Sequence, residues 1–257
     1  PIDYMKRILT DVDFKYGIGL NSGYINEDQF DSVRTTLGTS LKFRLFQTES
    51  ANGKAYLEDE FYLPLAAIPT EDEEGRIGIK LLGDSTDATF IDDITDDKVA
   101  ELPIWARNAE RLINTVIYNY DYNPLTKEFT SQFKYEDLTL KSEHGRTLEL
   151  VIDSKGIRSY AENAAATHNW FSATAAFLTD AAQRHIARFG NKAPVISAKA
   201  TMSSHLLEIA DDVTLTFDNI VSLETGIRTL SNRPAEVSSM TIDFQQGSVG
   251  FEFLVYP

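Results

Sequence analysis

Histidine and acidic side chains are the groups of this sequence that could bind a metal or act as general acids and bases. The four His residues are widely separated, and none forms an i, i+4 pair or an HExxH motif. A zinc site would therefore have to be assembled from distant parts of the chain. His185 lies on the polar side of a predicted helix, where we expect a solvated imidazole. The four positions are His144, His168, His185 and His205.

An acidic segment between residues 84 and 97 suggests two further kinds of chemistry. Calcium prefers oxygen ligands, and glycoside hydrolysis uses a pair of carboxylates. The segment lacks the glycine and the final glutamate that an EF-hand loop requires. We therefore interpret it as a solvated acidic loop, with Thr95 as the cap of a short helix over Val99 and Ala100. Its carboxylates are those of Asp84, Asp87, Asp92, Asp93, Asp96 and Asp97.

A glycine-rich stretch, residues 17–23, is similar to a phosphate-binding loop only in composition. Its spacing is G-x-G-x-x-x-G, it does not follow a predicted strand, and no P-loop lysine comes after it. The sequence has no G-x-S-x-G motif for a nucleophilic serine and no cysteine that could act as a nucleophile or a thiolate ligand. We therefore predict that the protein is not an enzyme and has no catalytic, cofactor-binding or metal-binding residues.

Composition predicts a folded, soluble chain that is rich in strands. Hydrophobic residues make up 42% of the chain and aromatic residues 11%, which is too apolar for a disordered protein. The net charge of −15 would repel nucleic-acid phosphates, and no basic cluster offsets it, so we expect no specific nucleic-acid binding. No segment reaches the roughly 20 apolar residues that a membrane-spanning helix needs.

The first part of the chain, residues 1–105, is predicted to be a small α+β unit. Helical spacing predicts helices near residues 3–9 and 27–37, the second between an Asn26 cap and a Gly38 stop. The other predicted elements are a strand at residues 41–45, a helical turn at 58–63 and a hairpin of residues 66–68 with 77–81.

The second part, residues 106–257, is predicted to be an antiparallel β-barrel or sandwich that carries one long amphipathic helix at residues 171–189. Alternation predicts a long hairpin that turns at residues 123–124 and a last hairpin that turns at residues 246–247. The predicted fold class is therefore α+β and β-rich. Because the last residues are strand-like rather than polar, we expect a fragment of a longer polypeptide.

Several short motifs occur in the order known from one protein family. Residues 1–9 (PIDYMKRIL), 16–20 (YGIGL) and 25–37 (INEDQFDSVRTTL) resemble the "PID…M…IL", "GWGLG" and "ID…F…LR" motifs of bacteriophage tail-tip and baseplate-hub proteins. Further similar segments are residues 113–122, 153–158, 206–213, 226–228 and 242–249. Two positions depart from the pattern, since Ala210 replaces the usual glycine and Ser159-Tyr160 stands where the family often has Tyr-Gly.

The resemblance implies a structural protein of the virion, made in the bacterial cytoplasm and built into a phage or prophage tail. Such hub subunits usually form a trimeric ring around the tail channel, and their partners are other tail-tip and baseplate proteins. An acidic ring would let DNA slide without adhering. The first alternative is a carbohydrate-binding or adhesion β module, for which only Trp105 and Trp170 supply tryptophan side chains. The second alternative is a cell-wall hydrolase carried on a tail tip.

Overall fold

The chain forms two compact units in the computed structural model. Unit 1 comprises residues 1–69, 75–82 and 113–186, and unit 2 comprises residues 70–74, 83–112 and 187–257. The expected boundary near residue 105 remains a proposal about which segments fold independently. The structure describes residues 1–12, 17–38, 43–44, 52–72, 74–83, 90–107, 112–159, 170–191, 194–201, 206–221, 226 and 228–256, with only the backbone at 107 and 170–173.

Unit 1 begins with two helices, α1 (Ile2–Thr10) and α2 (Glu27–Leu37), which confirm the helices predicted near residues 3–9 and 27–37. The side chain of Asn26 caps α2 by accepting a hydrogen bond from the backbone N–H of Gln29 at 3.1 Å. Gly38 ends α2 with a φ of 67°. Both helices bury an apolar stripe, formed by Ile2, Met5, Ile8 and Leu9 in α1 and by Phe30 and Val33 in α2.

A continuous helical segment follows at residues 53–65, which we call the composite helix. It consists of α3 (Gly53–Leu57), a π-helical segment (Glu58–Tyr62) and α4 (Leu63–Leu65). The π-helical segment lies within the helical turn that the sequence predicts at residues 58–63. Ala66, with a φ of 52°, ends the composite helix.

Two small sheets accompany these helices. Strands β1 (Ala67–Glu71) and β2 (Ile77–Leu81) form the predicted hairpin. In the other sheet, β5 (Thr115–Asn123) lies between β6 (Glu128–Glu136), which is antiparallel to it, and β7 (Glu149–Asp153), which is parallel. Further elements are the helices α5 (Leu138–His144) and α6 (Trp170–Phe189) and a 3₁₀ turn (Ser22–Tyr24).

Strand β5 confirms the predicted alternation for most of its length. Val116, Tyr118 and Tyr120 are buried on one face. Asp121 departs from the pattern because its φ is 57°, and its buried carboxylate accepts hydrogen bonds from Ser131 and Ser159. A local change of backbone conformation therefore interrupts the alternation that the sequence predicts.

Unit 2 is built on a six-stranded sheet with the order β3-β9-β10-β11-β8-β4. All neighbouring strands are antiparallel except β3 and β9, which are parallel. The inward side chains of these strands, among them Leu215, Phe217, Phe251 and Phe253, form one apolar cluster. The strands are β3 (Phe90–Thr95), β4 (Ile104–Arg107), β8 (Pro194–Thr201), β9 (Asp212–Phe217), β10 (Leu230–Asp243) and β11 (Ser248–Val255).

The predicted barrel is wrong, because this sheet is open. Its outer strands, β3 and β4, stand at opposite ends of the strand order, and in the described part of the chain they pair only with β9 and β8. A barrel would require the two outer strands to pair with each other. The fold is therefore α+β and strand-rich, with open sheets.

Three local predictions are also corrected. Residues 90–95 of the predicted acidic loop form β3, while Asp84 and Asp87 lie outside the described residues. The short helix predicted over Val99 and Ala100 is replaced by a bridge from Val99 to Ala200. The last hairpin turns at residues 244–247 and not at 246–247 alone. The strand predicted at residues 41–45 is described only at 43–44, where Phe43 bridges to Ile157.

Candidate assembly surface

Both outer strands of the six-stranded sheet present apolar side chains to solvent, Ile91 on β3 and Ile104 on β4 among them. Among the described residues β4 pairs with β8 alone, and Trp105 points towards the apolar cluster and packs against it. The neighbouring Ile104 is 69% exposed, and Leu102 just before the strand is 71% exposed. We call residues 102–107 the β4 edge. Unpaired backbone groups beside exposed apolar side chains make such an edge a template for pairing with another chain.

The opposite outer strand, β3, carries charged and hydrogen-bonded groups. On the β3 edge (residues 90–95), the Nζ of Lys98 donates to the Oδ1 of Asp92 at 2.6 Å and to the carbonyl of Asp93 at 2.8 Å. The hydroxyls of Thr214 and Thr216 both donate to the Oδ1 of Asp93. Charged side chains on an outer strand oppose pairing with a further strand. The two edges of the sheet therefore differ in the charged and hydrogen-bonded groups that they carry.

The turn between β10 and β11 holds a large apolar side chain away from the sheet. Asp243 fixes this turn, because its Oδ1 accepts from the backbone N–H groups of Gln245 and Gln246 at 2.9 and 3.0 Å. Gly247 completes the turn with a φ of 62°. Phe244 is 81% exposed at its tip. The turn is thus preorganised, and Phe244 adds exposed apolar surface to unit 2.

Unit 2 contains a buried polar cluster, which we call the Arg188 network, that joins Arg188 near the end of α6 to the strands of the same unit. It consists of Arg188, Asp212, Glu236 and Tyr256, all buried. Arg188 forms an ion pair with Glu236, and the hydroxyl of Tyr256 donates to the Oδ1 of Asp212 at 2.6 Å. Burial, reinforced by the two carboxylates, raises the pKa of Tyr256 above its usual range. Tyr256 therefore stays protonated and serves as a hydrogen-bond donor.

The described residues that were considered for metal chemistry are not brought together. Within the described ranges, no three His, Asp or Glu side chains lie close enough to hold a metal ion. His144 lies at the end of α5, and His168 and His205 lie outside the described residues. The carboxylates of Asp92 and Asp93 are engaged by Lys98 and by threonine hydroxyls.

The prediction that His185 is solvated is wrong, since only 2% of this residue is exposed. The cause is the width of the buried face of α6, which includes Ala181 as well as the predicted Leu178 and Ala182. His185 lies one helical turn after Ala181 and three residues before the buried Arg188. Spacing from Ala181 is the sequence signal that would have placed the imidazole inside.

Aromatic side chains that could stack on a sugar do not line up on any single element. The exposed ones in the described part of the chain are Tyr4 in α1, Tyr24 in the 3₁₀ turn at residues 22–24, Phe90 in β3 and Phe244 in the turn after β10. Trp105 packs on the apolar cluster of unit 2, and the side chain of Trp170 is not among those described.

None of the helices described is both long enough and apolar enough to cross a membrane.

Comparison with solved structures identifies the fold. No protein-family model and no curated protein sequence matches the chain. A component of the virion of a native gene transfer agent particle matches 88% of this chain, with a TM-score of 0.50 and 14% sequence identity. The chain has the fold of this virion component. The resemblance found in the sequence implies a structural protein of a virion, and this shared fold agrees with it.

Two tail proteins are similar to the chain with lower TM-scores. The 43 kDa tail protein of prophage MuSo2 from Shewanella oneidensis matches 75% of the chain, with a TM-score of 0.39 and 16% identity. The tail protein from Neisseria meningitidis MC58 matches 88% of it, with a TM-score of 0.47 and 10% identity. The chain spans 46% of the gene transfer agent component and 51% and 65% of these two tail proteins.

Proposed function

We propose that the chain is a structural subunit of a phage or prophage tail, located at the tail tip or baseplate hub and assembled as a trimer around the tail channel. The shared fold with the gene transfer agent virion component, over 88% of the chain, carries this proposal. Because the chain spans only 46% of that component, the trimeric assembly is part of the proposal. The proposed role is mechanical and needs no catalytic group.

The difference between the two sheet edges supports assembly through one of them. In a closed ring of identical subunits, each subunit contributes two different surfaces, one to each neighbour. The β4 edge supplies one such surface, because a strand from a neighbouring subunit would bond the backbone groups that have no partner in the described part of the chain, and would cover Leu102 and Ile104. The carboxylates and Lys98 of the β3 edge disfavour the same contact there.

The charge of the chain supports a position beside DNA in transit. With a net charge of −15 on each subunit, a ring of these subunits repels the phosphate backbone, so DNA passes without binding to it. Synthesis in the bacterial cytoplasm, residence in the virion and contacts with other tail-tip and baseplate proteins belong to the same proposal.

Locating the chain in purified particles tests this role. Particles from the strain that encodes the chain are purified, the chain is quantified by mass spectrometry, and a tagged copy is located by gold labelling. We expect a few copies in each particle and label at one end of the tail. Label along the whole tail would overturn the hub assignment and leave the tail role. A chain that is absent from particles but binds cell-wall glycans would support the carbohydrate-binding alternative.

A further inference from the structure

The imidazole of His185 is buried with only one of its two nitrogens satisfied. Nε2 lies 2.9 Å from the carbonyl oxygen of Leu63, while Nδ1 is buried and has no hydrogen-bond partner among the described residues. Because a carbonyl can only accept, the proton of the neutral ring is on Nε2 and the lone pair is on Nδ1. This arrangement suits an uncharged imidazole and no other form of the side chain.

The acceptor belongs to a helix end that depends on such partners. The last carbonyls of a helix have no partner within the helix. In the composite helix, the carbonyl of Leu63 accepts from His185 and from the N–H of Ala66, and the hydroxyl of Tyr118 lies 3.5 Å from the carbonyl of Pro64. His185 therefore ties the last turn of the composite helix to α6 within unit 1.

The charged and titratable groups of the surrounding elements do not offset a charge on His185. On α6, Arg184 donates to Asp180 and to the carbonyl of Leu82. In the composite helix, Glu60 is paired with Lys155, and burial raises the pKa of the Tyr62 hydroxyl. Burial likewise raises the pKa of the Tyr118 hydroxyl on β5, so both phenols remain uncharged.

Arg188, which lies three residues after His185 on α6, is paired with Glu236. Burial lowers the pKa of His185 below its usual range, and only the Leu63 carbonyl acts in the opposite direction.

We propose that His185 is an acid-sensitive latch that releases the end of the composite helix when its Nδ1 takes up a proton from solvent. Protonation creates a buried charge and a buried N–H without an acceptor, and both are relieved if the ring moves into water. The move breaks the bond to Leu63 and leaves that carbonyl with only the N–H of Ala66 as a partner among the described residues. The latch concerns unit 1 alone and is independent of the role in a tail.

The pH window follows from the direction of the shift. The unfolded or opened chain binds a proton near the usual pKa of about 6.5, and the closed form binds it only at lower pH. The latch is therefore fully closed above about pH 6.5 and weakens as the pH falls below that value. The loss levels off once the pH lies below the pKa of the closed form.

Hydrogen exchange of the full chain tests the latch. We expect the amides at the end of the composite helix to lose protection between about pH 7 and about pH 5, by up to tenfold per pH unit after correction for intrinsic exchange. His185→Gln keeps a side-chain N–H for Leu63 but cannot take up the proton, so its protection should not depend on pH. His144→Gln on α5 is the matched control and should behave as the parent does.

Two outcomes would overturn the latch. One is the same pH dependence in His185→Gln as in the parent. The other is an NMR titration of the parent chain in which the His185 imidazole has a pKa at or above about 6.5. This second test does not depend on whether the variant folds. A pKa clearly below this value, with opening of the helix end over the same pH range, supports the proposal.

Discussion

His185 and Arg188 lie within one turn of the same helix, yet their buried polar groups are accommodated in opposite ways. Arg188 carries a permanent charge, and it is buried beside the carboxylate of Glu236. His185 is buried without any carboxylate, with its Nδ1 unpartnered in the described part of the chain. A guanidinium cannot lose its charge and therefore needs a counter-ion, whereas an imidazole can be buried neutral.

Because of this difference, we expect the Arg188 network and the His185 contact to respond differently to substitutions and to pH. The Arg188 network ties the end of α6 to β9, β10 and the residue after β11, so it stabilises the sheet that carries the β4 edge. The His185 contact makes a helix end of unit 1 sensitive to acid. Substitutions in the network should therefore cost stability at neutral pH, and substitutions at His185 should change the pH dependence of stability.

Breaking the ion pair of the Arg188 network is expected to have the largest effect. Glu236→Leu leaves the buried guanidinium of Arg188 without its counter-ion, which typically costs about 3–5 kcal/mol of unfolding free energy. The double variant Arg188→Met with Glu236→Leu replaces both charges by apolar groups and should recover most of that loss. Urea unfolding followed by circular dichroism measures both variants. A loss below about 1 kcal/mol in the single variant would show that the ion pair contributes little to the unfolding free energy.

Removing the hydroxyl of Tyr256 should have a smaller effect. Tyr256→Phe takes away the donor at 2.6 Å from Asp212 and leaves that buried carboxylate with one bond fewer, at a cost of about 1–3 kcal/mol. Tyr24→Phe is a suitable control, because Tyr24 is exposed and should tolerate the change. Thermal melting of both variants decides the matter. Equal melting temperatures for the two would show that the hydroxyl of Tyr256 contributes nothing.

Lysine on either sheet edge should have the smallest effect on the stability of the isolated chain. Ile104 on β4 is 69% exposed and Ile91 on β3 is 63% exposed, so Ile104→Lys and Ile91→Lys should each change the unfolding free energy by less than about 0.5 kcal/mol. Urea unfolding of the two variants measures this. A large loss in either would mean that the side chain is covered in solution.

Local signals were sufficient for the helices of the first part of the chain and for the hairpins. Asn26 and Gly38 mark the two ends of α2 within the sequence itself, and the spacing of its apolar residues requires no knowledge of the fold. The alternation in β5 is equally local, and it fails only at Asp121, where the backbone adopts a left-handed conformation that sequence periodicity does not encode.

Distant partners decided the features that the sequence did not predict. Asp93 looks like a loop residue until β3 pairs with β9, where its carboxylate accepts from Thr214, 121 positions away. His185 looks solvated until Leu63, 122 positions away, supplies its acceptor. The openness of the sheet has the same origin, because the order of strands that are distant in sequence is not written in the alternation of any one of them.

The measurement that tests the assembly account most directly is the amount of chain built into purified particles when the parent is replaced by either edge variant. Ile104→Lys places a charge on the β4 edge, and Ile91→Lys places the same charge on the β3 edge, which already carries Asp92 and Lys98. We predict that incorporation falls by about tenfold or more for Ile104→Lys, since burying an unpaired charge costs several kcal/mol, and stays near the parent level for Ile91→Lys. Incorporation at the parent level for both variants, or an equal loss for both, would contradict assembly through the β4 edge.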